Sequence, residues 1–177
     1  MARAEHYANF ALRRFGHMAP VMFAATQAGD IWFVPENLAD VRAKNDFANT
    51  SRLICAAYGV TAAVMALEAW VTMGKPGEPL DTDTPPSEAL NRQEFVVLMG
   101  EAAGHQQQKL LPIIRTGVGG FFGFGEFDSQ GFNGFRGRFA GILPPKVPDA
   151  RQRTLAKAVL AAMGVTDAVL RQQFPRN

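Results

Sequence analysis

The chain is short of most residues that announce chemistry. It has one cysteine, Cys55, so no internal disulfide is possible. Cys55 lies in LICAAY, whose apolar helical spacing makes it a small core residue instead of a reactive thiol. A lone cysteine without a cystine framework fits a reducing, cytoplasmic compartment. The three histidines, His6, His17 and His105, stand in no HxH or HExxH spacing, and no cysteine cluster joins them. No metal site and no organic cofactor are therefore expected. None of Ser51, Ser87 and Ser129 sits in a GxSxG elbow.

Excess charge is lacking too. Eighteen Lys and Arg nearly balance 16 Asp and Glu, for a net charge of +2. That leaves no global basic field for nucleic acid or an anionic membrane. The longest apolar run, VTAAVMALEAWVTM, carries Glu68 and falls short of the ~18 to 20 residues that span a bilayer. No membrane partner is expected. Arg13-Arg14 stands before FGHMAPVMFAA, but Gly16, His17 and Pro20 break that run, so it does not read as an export signal.

What remains is globular. The length of 177 residues, with 47% hydrophobic and 19% charged residues, suits a single domain over residues 1 to 177. Tyr7, Phe10, Ala11 and Arg14 predict an amphipathic helix from Ala4 to Phe15, stopped by Gly16. Val21–Ala25 and Ile31–Val34 flank a turn and predict a hairpin. Asn37 is a candidate cap for a helix from Leu38 to Tyr58, closed by Gly59. Val60–Thr72 reads as a buried strand.

The segment 74–91, rich in Pro, Gly and acids, reads as a loop with one helical turn at Ser87–Leu90. Gln93–Gly100 and His105–Ile114 predict a second hairpin, with Pro112 near a strand end or on an edge. Asp149 caps a helix to Met163 whose apolar face is Leu155, Val159, Leu160 and Met163. Thr166 starts a last short helix through Gln172. The echo between AAYGVTAAVM and AAMGVTDAVL is shared helix-stop chemistry at Gly59 and Gly164, not a duplication.

This order predicts an α+β fold. A mainly antiparallel sheet of about five to seven strands carries an N-terminal helix and two C-terminal helices. Over Ala4 to Arg115 the order resembles that of roadblock-type and profilin-like small domains. The likeness is one of topology without a motif, and it assigns no function.

The most unusual stretch is GVGGFFGFGEFDSQGFNGFRGRFAG, residues 117–141, with nine Gly and seven Phe. It contains neither GxGxxG nor GxxxxGK[ST], and no Lys, so it is no phosphate cradle. Phe135 and Phe139 alternate with Arg136 and Arg138, the pattern of a half-buried strand. Phe122 and Phe124 share one parity, and Phe121 and Phe127 fall on the other. Asp128–Gly131 fits a type I turn, with Asn133-Gly134 competing. A Gly/Phe-rich hairpin follows, with Glu126 and Asp128 opposite Arg136 and Arg138. Its Phe121, Phe122, Phe124, Phe127, Phe132, Phe135 and Phe139, with both arginines, are candidates for an interaction surface if the monomer leaves them uncovered.

Two functional classes follow, and a third stays open. The leading expectation is a non-enzymatic protein-binding, adaptor or regulatory domain that self-associates through the Phe-rich hairpin or a sheet edge. The runner-up is a small metal-dependent nuclease or phosphoesterase. Gln107-x-Lys109, with Glu68, Glu94 and Glu101, resembles the PD-(D/E)xK arrangement, though Gln stands where that site has an acid. Glu68 on a central strand needs a partner, and Lys109 or Arg115 would serve. Arg and Phe in GFRGRF could stack on bases, but Glu126 and Asp128 cancel the charge, so nucleic acid is not the expected partner. A structural subunit of a larger assembly is the third class.

Overall fold

Alternation along the strands sorts the apolar side chains into two buried faces, and each face carries its own helices. A computed structural model describes residues 1–73, 83–127 and 135–171. The elements are α1 (Ala2–Phe15), β1 (Val21–Thr26), β2 (Gly29–Phe33), α2 (Val41–Tyr58), β3 (Ala62–Thr72), β4 (Arg92–Ala102), β5 (His105–Arg115), β6 (Phe121–Phe124), α3 (Ala150–Ala162) and α4 (Asp167–Leu170). The strands form one six-stranded sheet in the order β2-β1-β3-β4-β5-β6, with every neighbouring pair antiparallel. This is the α+β, antiparallel architecture that the sequence predicts. No helix among the described residues is long and apolar enough to cross a membrane.

On one face Val21, Phe23, Ala66, Val96, Leu98, Leu111 and Ile113 meet α1. Its contact stripe is Ala4, Ala8, Ala11 and Leu12, whose three alanines at helical spacing let the helix lie close to the sheet; of the predicted face Tyr7, Phe10, Ala11 and Arg14, Ala11 alone is buried and Arg14 is exposed. On the other face Met22, Ala24, Met65, Leu67 and Met99 meet Phe47, Ile54 and Cys55 of α2, with Ala156, Leu160 and Leu170 beyond. Cys55 is fully buried, and burial pushes its thiol up to about 12. A core residue is what its sequence context predicts.

Helix ends follow side-chain chemistry. Asp40, not Asn37, caps α2: its carboxylate accepts from the Ala43 amide at 2.7 Å. Asn37 instead accepts from Ala39 at 3.1 Å, a local turn that keeps Leu38 out of the helix. Gly59 ends α2 at φ 59°, a conformation costly for any residue with a Cβ. Asp149 and Gln152 form a reciprocal capping box at the start of α3.

The predicted apolar face of α3 needs correction. Leu160 of that face is buried, with Ala156 beside it, while Leu155 is 66% exposed and Val159 and Met163 are exposed with it. The helix therefore presents its narrow stripe inward and its broad one to solvent. Pro112 lies as its chemistry requires. Its carbonyl accepts from Gly125 at 2.8 Å, so its missing N–H also faces the β6 side, where strand pairing begins only at the next residue. Within the predicted loop, residues 74–82 lie outside the described residues. Pro85–Ala89 forms a hydrogen-bonded turn one residue or two earlier than expected.

The Gly/Phe hairpin is the main correction. The first arm, β6, pairs with β5 and not with residues 135–141, which hold no strand. The proposed turn and Asp128 lie outside the described residues. Burial is the reason for the split: Phe121 and Phe124 pack on the α1 face, whereas Phe135 and Phe139 pack on the α2 face.

Candidate functional site

The phenylalanines of residues 117–141 are partitioned by a single extra residue. Along β6, Phe124 faces Ile113 and Gly123 faces Ile114, but Arg115 is met by Phe121. Phe122 is thus the surplus residue of a β-bulge, and strict parity fails there. Phe121 and Phe124, three apart, point to the same face with ring centroids 5.1 Å apart. The Arg13 guanidinium lies 5.5 Å from the Phe121 ring. Phe122 is turned out, 70% exposed, with Ile114 and Val118 exposed near it. Among the described residues no strand pairs with the outer edge of β6.

The other rings are covered by the chain itself. Phe127 meets Phe95 at 5.4 Å and Phe139 meets Phe47 at 5.9 Å, while Phe135 packs against the α2-side core. Phe132 lies outside the described residues. Arg136 and Arg138 are exposed.

A pair of charged side chains fixes the segment after Phe135, and sequence reading missed it. Arg52 of α2 donates to the carbonyls of Arg138, Ala140 and Gly141 at 2.7, 3.0 and 3.2 Å. Glu101 of β4, 6% exposed, accepts from the Gly141 and Leu143 amides at 2.5 and 3.1 Å. A cation holds the carbonyls and an anion holds the amides of one irregular stretch, so its backbone is satisfied without a ladder.

The five residues of the nuclease reading, Glu68, Glu94, Glu101, Gln107 and Lys109, do not share one site. Glu68 and Glu94 do converge, on the α1 face. Arg115 meets Glu94 through two nitrogens at 2.5 and 2.6 Å and Glu68 at 3.6 Å. The Met18 amide donates to Glu68 at 2.8 Å, and Arg115 donates to the Gly16 carbonyl at 3.0 Å. The cluster therefore ties the α1–β1 connection to the sheet. Arg115 is one of the two partners expected for Glu68; Lys109 instead pairs with Glu5 of α1 at 2.6 Å. Gln107 is exposed farther along β5, opposite Gly100. Glu101 points to the opposite face. Among the described residues no group of three His, Cys, Asp or Glu is placed to hold a metal ion.

Burial and the neighbouring Glu94 push the Glu68 carboxyl up from its ordinary value. The Arg115 guanidinium holds Glu94 below it.

A separate cleft of about 1460 Å³ opens at the sheet end where the β1–β2 turn, the α2–β3 junction and the β4–β5 turn meet. Leu143, Pro144, Val147 and Pro148 form an apolar wall. The lining also holds Arg153 and Lys157 of α3 and Arg171, which follows α4. The Lys157 ammonium lies 5.0 Å from the Tyr58 ring centre, and the Tyr58 hydroxyl bonds to Asp167. Burial and that bond push the Tyr58 hydroxyl up to about 12, so it stays protonated at neutral pH.

Comparison with known protein families, curated proteins and solved structures finds no match.

Proposed function

We propose that the chain is a non-enzymatic protein-binding module that associates with a second copy of itself through the outer side of β6. The observation that carries this reading is the bulge that turns Phe122 out beside an open strand edge. Of the phenylalanines in residues 117–141 that are described, Phe122 alone is exposed; the others are packed at least in part. Burying one Phe is worth roughly 1.5 to 3 kcal/mol, so leaving it in water favours a partner that covers it.

The bulge and the short length of β6 argue for contact through side chains instead of an extended ladder. Bulges and short strands are the usual means of blocking edge-to-edge pairing. The contact area offered by Phe122, Ile114 and Val118 is small, so the association is weak and reversible. Sedimentation of the wild type over a wide concentration range should show a monomer–dimer equilibrium, and Phe122→Ser should shift it to monomer. A wild type that stays monomeric at the highest concentration would end the self-association reading.

A further inference from the structure

The cleft at the other end of the strands has its own charge imbalance. Its two carboxylates are already committed to the protein: Glu101 to the Gly141 and Leu143 amides, Asp167 to the Tyr58 hydroxyl. Its cations are not matched in the same way. Arg171 donates to the Ala28 carbonyl at 3.2 Å, one bond from a group that carries five donors. Lys157 rests on the Tyr58 ring, and the Arg153 guanidinium lies against Gly59, 3.7 Å from where a Cβ would stand. Among the described residues no carboxylate is within ion-pair distance of Arg153, Lys157 or Arg171.

Arg153 and Lys157, one helical turn apart on α3, also sit beside the C-terminal end of α2, which has no basic residue in its own last turn. The negative helix end favours cations there and helps hold them at the cleft. That role leaves most of their N–H donors unspent. Concave walls of low dielectric focus the field of such groups, and the apolar wall of the same cleft can cover a carbon skeleton.

The geometry points to a binding site for a small organic polyanion, bearing phosphate or carboxylate groups, held by Arg153, Lys157 and Arg171 against the Leu143–Pro148 wall. The site is independent of Phe122 and shares no residue with the β6 surface. Titration calorimetry on the full chain at low salt, with inorganic pyrophosphate and with citrate, tests it and separates the two anion chemistries. At least one probe should bind. The double variant Lys157→Gln, Arg171→Gln should weaken that binding about tenfold or more, the scale of losing charge-assisted bonds. The charge-matched control Arg14→Gln, Arg42→Gln should bind like wild type. All four positions are exposed, and a far-UV spectrum with a thermal midpoint checks that each variant is folded. Absence of binding by both probes up to about 10 mM, or an equal loss in the control, would overturn the site.

Discussion

Arg115 gives Glu94 two short bonds and leaves Glu68 at 3.6 Å, so burial raises Glu68 while the Arg115 bonds outweigh burial at Glu94 and lower it. Glu94 has its folded pKa lowered, so its stabilisation is present above the unfolded value and is lost as pH falls through the folded one. Glu68 has its folded pKa raised, so its contribution is present below the unfolded value and is lost as pH rises through the folded one. On acidification Glu68 takes its proton first, at no cost to the Arg115–Glu94 bond. Glu94→Gln should therefore cost about 1.5 to 3 kcal/mol at pH 7, with the difference from wild type vanishing once both carboxyls are protonated. Glu68→Gln should cost within about 1 kcal/mol, because the amide oxygen can still accept from Met18 and Arg115 keeps Glu94 as its partner. Urea midpoints from pH 8 down to about pH 3 measure both. Equal losses at pH 7 would mean that the two carboxylates share Arg115 evenly.

Elements were legible wherever local chemistry and burial agree. The hairpin turn at Gly104 and the stop at Gly59 are consequences of nearby residues, whereas the α1 stripe falls on alanines that hydrophobicity does not single out. Two further features were not legible, for different reasons. The bulge at Phe122 depends on how β6 registers against β5, and FFGF alone cannot report an unpaired residue. On α3, positions 155, 159 and 163 and positions 156 and 160 are rival stripes. The larger side chains favour the first on hydrophobicity, but α2 accepts the second, where Ala156 permits close approach. Leu160→Ala should then destabilise by about 2 to 5 kcal/mol, as a buried leucine does, and Leu155→Ala by no more than about 0.5 kcal/mol. Chemical denaturation of the two variants checks the assignment, and a larger loss for Leu155 would reverse the helix. The site residues divide the same way. Glu94 and Glu101 lie an odd number of positions apart on one strand, so alternation alone separates their faces. The Arg52 and Glu101 clamp joins residues 86 or more and 40 or more positions apart, and no local pattern encodes it.

At the scale of the molecule, one sheet is a wall common to two cores. The α1 layer and the α2 layer meet opposite sides of the same β1, β3 and β4 backbones, so neither core keeps its surface buried if the sheet comes apart. Loss of α1 would expose Phe23, Val96, Leu98 and Leu111, and would release the Arg115, Glu68 and Met18 ties as well. Unfolding of this sheet and both layers should consequently be one transition. Leu12→Ala, at the largest buried side chain of the α1 contact, probes this directly. It should cost about 2 to 5 kcal/mol and keep the same denaturant midpoint by tryptophan fluorescence and by far-UV circular dichroism. Trp32 packs against the α1-side core, so fluorescence weights that layer, while circular dichroism weights all helices and strands. If α1 can detach alone, the fluorescence midpoint will fall first while most of the dichroism persists. Coincident midpoints in the variant would establish that the sheet couples the two faces. The Phe122 edge at one end of the strand order and the cationic cleft at the strand tips would then ride on a single cooperative body.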